Sequence, residues 1–426
     1  MFMLSLSVLT YDSLPFIHFS VYRPVAMFPL FLASILLLFE KFRFGKGDFF
    51  LIGFCVYSVC HSLVICMGYG SMGASMKHIF TLMIGLGMYR VALYIGQLCK
   101  EDPKIRRMMA ISLWIAFLPP IAIGCLQLVD SFIVKSGFSM SITGLFSEKV
   151  YLRRIQLLSG EPSWAAIHVL SGGLIMSYLI RLGYRSLRIP LVLSVLLMVL
   201  SFSAYAYSVI LIALIFYIVL TSKNRGRMLL ILGGTVAFVA VFIPFLIDYL
   251  HISGYFAKRF QFDFQAMLKT DNSVFVRFVF PLIGVYEFLR HPVFGLGGGY
   301  YFYEFNAILF EKFSYGLKFK EVYDIAYVMP DSATSRNLFA KVLSEEGIVG
   351  FMLFIGFLST AVKGSSPYAK FALALCFSLV MNFDSYSFVN FWLLIGFIRG
   401  GFFNEMPAAR EAGTETLSTK GMKQIA

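Results

Sequence analysis

Run after run of apolar residues, each about 16 to 21 long and bounded by charged residues, governs the reading of this sequence. A helix of that length covers the hydrocarbon core of a bilayer, where no water bonds the backbone and every N–H and C=O needs a partner within the protein. With 59% hydrophobic residues and 14% charged ones, the chain lacks the polar surface of a soluble enzyme. It reads as an all-α polytopic integral membrane protein.

Apolar spans fall near residues 25–39, 48–66, 78–98, 108–128, 164–180, 189–203, 205–221, 228–247, 347–362, 368–382 and 388–404. That makes about eleven transmembrane helices. Residues 1–22 are apolar but interrupted by Asp12 and Pro15, so they form either a broken twelfth span or a segment lying at the surface. The net charge of +13 is dispersed in small groups between the spans and forms no stripe of the kind that binds nucleic acid. Lys41, Arg43 and Lys46, then Lys100, Lys104, Arg106 and Arg107, then Arg181, Arg185 and Arg188, then Lys223, Arg225 and Arg227 all fall on one side. The positive-inside rule makes that side cytoplasmic. The expected organisation is then N-terminal transmembrane helices over 1–247 with an outer loop at 129–163, and a large outer loop with amphipathic helices over 248–346. C-terminal transmembrane helices over 347–404 and a cytoplasmic tail at 405–426 complete it.

Several chemistries lose support at this point. The six cysteines include no CxxC pair, and His61, His78 and His251 show no metal-ligand spacing, so neither a disulfide scaffold nor a metal is expected. No GxxxxGK[ST] loop or DxD pair occurs, and Gly295 to Gly299 does not follow a βαβ strand. No nucleotide cofactor is expected.

Chemistry instead concentrates in the two outer loops. Arg277 and Arg290 flank an apolar, aromatic stretch in which Pro281 predicts a kink, and the whole reads as a helix lying at the membrane surface. Arginine binds phosphate through a planar fork and stays charged at any relevant pH, which suits a pyrophosphate; contact with anionic lipid head groups is the alternative. In the first loop Arg153 and Arg154 precede Gly160-Glu161-Pro162-Ser163, which places Glu161 at the lip of a re-entering helix. There it is either a carboxylate favoured by the helix N-terminus or a general base. His168, two turns along, is a functional candidate or an interhelical hydrogen-bonding group. Arg90 within the third span either snorkels or pairs with a carboxylate.

Two local patterns carry a family resemblance. Arg277, an aromatic-rich helix and His291-Pro292-x-x-Gly295-x-Gly297 form the first; Arg336-Asn337 followed after nine residues by Gly347-Ile348-Val349-Gly350 forms the second. Together they resemble the O-antigen polymerase and O-antigen ligase superfamily of bacterial surface-polysaccharide enzymes. Gly160-Glu161-Pro162-Ser163 and Ser201-Phe202-Ser203 are similar to features of the polymerase branch, and Arg336 stands where the ligases carry histidine, which argues against a ligase.

The resemblance implies a lipid-linked sugar transferase fold (GT-C-like) in the bacterial inner membrane. It implies a site facing the periplasm, undecaprenyl-pyrophosphate-linked oligosaccharide as substrate, no metal, and a chain-length regulator and a flippase as partners. Under that reading Arg153, Arg154, Arg277, Arg290 and Asn337 bind pyrophosphate, and Arg336, Glu161 and His291 act in catalysis, with Glu345 a further candidate base. The alternatives are a ligase that transfers polymer to lipid A core, and a transporter or flippase of lipid-linked sugars.

Overall fold

A computed structural model of the chain describes residues 1–14, 24–37, 45–69, 71–134, 136–147, 150, 154–201, 203–235, 264–362 and 366–404. The expectations for Arg153, for the second half of the 228–247 span and for the 405–426 tail lie outside them. Among the described residues the chain is helical, as the apolar runs required. Helices α1 (Phe2–Ser7) and α2 (Met27–Leu36) precede three long ones, α3 (Lys46–Tyr69), α4 (Met72–Glu101) and α5 (Pro103–Val129). After α6 (Phe138–Gly144) come α7 (Pro162–Arg181), α8 (Arg188–Leu200) and α9 (Ala204–Thr221). The second expected loop holds α10 (Phe264–Thr270), α11 (Asn272–Arg290) and α12 (Phe302–Lys312), and α13 (Leu338–Thr360), α14 (Pro367–Val380) and α15 (Val389–Arg399) follow. Starts are locally encoded. Asp102, Asp271, Asn337 and Ser366 accept from backbone N–H groups of the first turn, and Pro103, Pro162 and Pro367 sit where a helix has no use for the missing N–H.

Among the described residues six helices, α3, α4, α5, α7, α11 and α13, are long and apolar enough to cross a membrane. The segments around α8 and α9, bent by 114° where they meet, make up to a seventh crossing in place of the two separate spans expected at 189–203 and 205–221. The runs at 25–39, 368–382 and 388–404 hold helices of only 10, 14 and 11 residues. At about 1.5 Å per residue these fall well short of a hydrocarbon core about 30 Å thick. Their hydrophobicity has a different cause in α14 and α15. Residues Val389 to Ile398 of α15 are all buried, as is most of α14, because α15 packs along α4 and α14 along α9. These are core helices, apolar because protein surrounds them.

Helix α11 runs as one helix through Pro281, where a kink was expected, and is itself long and apolar enough for a crossing. Phe275, Phe280, Phe305, Ile308, Leu309, Val322 and Ile325 give the 264–333 segment a hydrophobic core of its own, separate from that of the bundle.

Polar anchors set the ends of the bundle. Asp48 in the first turn of α3 accepts from the Tyr89 hydroxyl of α4 at 2.7 Å and lies 3.5 Å from the Arg399 guanidinium of α15, which also bonds Thr360 of α13. One buried carboxylate thus ties four helices together. Arg90 Nη2 donates to the Leu37 carbonyl at 2.5 Å, where the C-terminus of α2 favours a cation. Asp130 orders the first loop, its two oxygens accepting from the Ser136 and Ser139 hydroxyls and the Ser136, Gly137 and Ser139 backbone. Those donors hold its carboxyl well below the usual carboxylate range, the Ser139 and Ser136 hydroxyls most of all.

Candidate functional site

Arg277 through its side chain and Arg336 through its backbone are linked to one turn, at 383–384. The Arg277 guanidinium of α11 lies over the Tyr205 ring at 5.5 Å, and that ring meets Phe383 edge-on at 6.4 Å. Next to Phe383, Asp384 accepts from the Arg336 backbone N–H at 2.9 Å and from the Ser335 hydroxyl at 3.3 Å. Arg336 needs that support, because its φ of 56° is a left-handed conformation that side-chain-bearing residues avoid. Its Nη2 reaches Glu321 at 3.1 Å, while Nε and the Tyr205 hydroxyl are buried with no hydrogen-bond partner among the described residues. Beside them Tyr301 donates to the Phe280 carbonyl at 2.7 Å, and burial pushes its phenol well above the ordinary range, so it stays a neutral donor.

The other expected residues are placed differently. Arg290 and His291 sit at the far end of α11, thirteen residues from Arg277, which is about 20 Å along a helix axis. There Arg290 pairs with Glu304 and Glu311 at 3.2 Å each, and His291 Nε2 lies 2.9 Å from Glu304. Arg290 is thus paired with two carboxylates, where Arg336 is paired with one. Lys312 first, then Arg290, holds the Glu311 carboxyl below its usual range. Asn337 caps α13 through Ala340 N–H at 3.0 Å, and its amide nitrogen donates to the Met381 carbonyl at 3.0 Å, so both ends of the side chain have structural partners. Glu161 stands at the start of α7, partly exposed, and accepts from the Ser163 hydroxyl at 3.0 Å. His168 is buried and bonds Asp12 at 2.7 Å, while the second oxygen of Asp12 accepts from the Gly160 N–H at 3.2 Å. The N-terminal segment thereby supports the turn that carries Glu161. Arg154 is half-buried in the first loop, just before the Gln156–Leu157 backbone that Gln127 of α5 holds.

The two motifs that carried the resemblance lie directly on one another. Helix α13 is broken at Gly347 (φ 63°, ψ −165°), a backbone region open essentially to glycine alone. The 292–297 backbone laces into the break: Leu296 N–H donates to Ser344 and Gly297 N–H to Glu345, each at 2.8 Å, and Ile348 N–H donates to Pro292 at 2.9 Å. A Cβ on Gly347 would stand 2.3 Å from the Val293 carbonyl, and one on Gly295 would stand 2.5 Å from that of Glu345. Tyr57 of α3 bridges the seam, donating to the Glu346 and Phe294 carbonyls at 3.0 and 3.2 Å.

Under this seam lies a polar cluster that the sequence did not announce. Ser58 Oγ donates to Glu346 at 2.5 Å and lies 2.7 Å from His78 Nε2; Glu345 is 3.6 Å from His78 Nδ1, and His61 Nδ1 is 3.6 Å from Glu346. Lys341 approaches Glu345 at 3.7 Å and lies over the Tyr386 ring at 5.4 Å. His78, Glu345 and Glu346 are buried, and one ligand-type atom of each lies within 4.8 Å of the others, so these three could hold a metal ion. From the sequence Glu345 is a candidate base and His61 and His78 are set aside as metal ligands for want of a ligand spacing; the fold supplies the spacing by bringing His78 to Glu345 and Glu346. The signal available for the rest was the Glu345-Glu346-Gly347 triplet inside an apolar run, since charge within a span needs a partner somewhere in the protein.

No curated protein matches the chain. Residues 189–355, somewhat under half of its length, match the family described as O-antigen ligase, and the matched stretch takes in Arg277, the glycine run, Arg336 and the break at Gly347. Resemblance and match fall on the same residues, and over 189–355 the chain is similar to the O-antigen polymerase and ligase superfamily.

Proposed function

We propose that this membrane protein polymerises undecaprenyl-pyrophosphate-linked repeat units into O-antigen or a related surface polysaccharide, at the periplasmic face of the bacterial inner membrane. A hydroxyl of one lipid-linked unit attacks the anomeric carbon of the chain carried by another; the bond from that carbon to the pyrophosphate oxygen breaks, and undecaprenyl pyrophosphate leaves. The observation that supports this reading is that the Arg277 guanidinium lies over Tyr205, whose ring meets Phe383, while the Arg336 backbone is held by the neighbouring Asp384 and its guanidinium by Glu321. Charge builds on the pyrophosphate as the bond breaks, and guanidinium groups fixed beforehand favour that state over the ground state.

The proton of the attacking hydroxyl goes to a carboxylate, for which Glu161 is the candidate, partly exposed at a helix start and engaged by the Ser163 hydroxyl. Arg154 belongs to the same loop and is a further candidate for the pyrophosphate. Arg290 and His291, paired with Glu304, serve the seam instead of the leaving group. The description of the matched family favours a second reading, transfer of finished polymer to lipid A core, and Arg336 in the histidine position favours polymerisation.

Deleting the gene in its native host separates the two. Core carrying a single repeat unit is expected. Bare core, with polymer accumulating on the lipid carrier, would replace this reading by the ligase, and an unchanged ladder would overturn both.

A further inference from the structure

Glu345 and Glu346 bring two carboxyl groups into a buried place, and Lys341 lies 3.7 Å from the first of them. Four atoms of the cluster are buried with no hydrogen bond among the described residues: His78 Nδ1, His61 Nδ1, Glu345 Oε2 and Glu346 Oε2. They face each other in pairs, His78 Nδ1 with Glu345 Oε2 and His61 Nδ1 with Glu346 Oε2, at 3.6 Å in each case. That is too long for a hydrogen bond. It is close to the separation of two ligands that each bind one tetrahedral ion at about 2.0–2.2 Å.

The surrounding bonds leave those atoms available. Ser58 Oγ lies 2.7 Å from His78 Nε2 and donates its own proton to Glu346 Oε1. It can therefore accept from Nε2–H, which fixes the tautomer with Nδ1 unprotonated. A histidine ligand oriented through its other nitrogen by an outer partner is the usual arrangement in metal sites. Lys341 meets Glu345 at Oε1 and so leaves Oε2.

We infer that His78, Glu345 and Glu346 form a binding site for a divalent transition-metal cation of the Zn2+ or Mn2+ class, with His61 the nearest further donor. The ion would tie the break in α13 to α3 and α4; it is a clamp, and no step of sugar transfer runs through it. The inference stands apart from the polymerase reading, because its readouts are metal content and heat resistance.

The test uses the full-length protein, purified in detergent, stripped with a chelator, incubated with Zn2+ or Mn2+ (Mg2+ as the control) and desalted. Retention of one Zn2+ or Mn2+ per chain, with a raised unfolding temperature, is the expected result. Glu345→Gln and Glu346→Gln, which keep shape and remove the negative charge, should each abolish that retention. Ser58→Ala should weaken the affinity about 10- to 100-fold. Wild-type protein that holds no stoichiometric ion and melts at the same temperature with or without metal would overturn the site, and that measurement does not depend on any variant folding. Retention that survives both Gln variants and disappears in His291→Ala would also overturn it, by moving the ion to the exposed His291–Glu304 pair.

Discussion

Arg336 holds a left-handed backbone at φ 56° while its guanidinium reaches Glu321, so one residue combines conformational strain with an exposed charge. Glycine would relieve the strain, by about 1 to 2 kcal/mol. Arg336→Gly is therefore expected to leave thermal stability unchanged or raised while long polymer disappears from a lipopolysaccharide gel; a normal ladder would remove Arg336 from the site. Arg277→Ala should cut the rate of unit transfer about 100- to 1,000-fold, the usual cost of losing one preorganised charge-stabilising donor. A labelled lipid-linked unit and purified protein would measure it. Glu161→Gln keeps the hydrogen-bonding shape and cannot take a proton, so full transfer activity in that variant would return Glu161 to a capping role. The arginines were legible in the sequence because each lies within a short local pattern. Ser58, His78 and Glu346 were not, since Ser58 and Glu346 are 288 positions apart and only the packing of α3 on α13 joins them.

Among the elements, α13 matters most for the site, because its break gives the 292–297 segment backbone groups with which to pair. Gly347→Ala would force a side chain into an unfavourable backbone region and against the Val293 carbonyl, which stands 2.3 Å from the place a Cβ would occupy. A loss of about 2 to 5 kcal/mol is expected, combining about 1 to 3 for strain and about 1 to 3 for overpacking. Heating the detergent-solubilised variant and following its monodisperse fraction checks this; wild-type heat resistance would mean that the break relaxes at little cost. The glycine spacing was visible in the sequence, but the pairing was not. A lone glycine in a span reads equally well as a close helix contact, and nothing local says that the chain fifty residues earlier enters beside it. Helix α11 illustrates the opposite ambiguity: length and apolarity suit both a crossing and a helix packed on α12 and α13, and burial of Phe275, Val279, Phe280 and Ile283 on one face is a property of the fold alone.

Across the molecule, the apolar runs identified the class and four of the long helices, α3, α4, α5 and α7, within a few residues. Among the described residues, the runs at 25–39, 368–382 and 388–404 hold shorter helices, because hydropathy cannot separate a helix facing lipid from one facing protein. Outside the site, the Asp48–Arg399 pair binds α3, α4, α13 and α15 at one end. Asp48→Ala is expected to cost about 3 to 5 kcal/mol, since Arg399 would be left buried without its carboxylate. A thermal unfolding curve that does not move would reduce the pair to a surface contact.

The burial of α14 and α15 bears on how the protein is made. Neither is long enough to rest across lipid by itself, and each has its place prepared by helices that leave the ribosome earlier, α9 for one and α4 for the other. Insertion of this region is thus a docking event more than a partitioning event. A nascent chain interrupted after Thr360 would display the α4 face that α15 normally covers, including Ala92 and Gly96, and so would offer quality-control proteases an unfinished groove in place of a membrane domain.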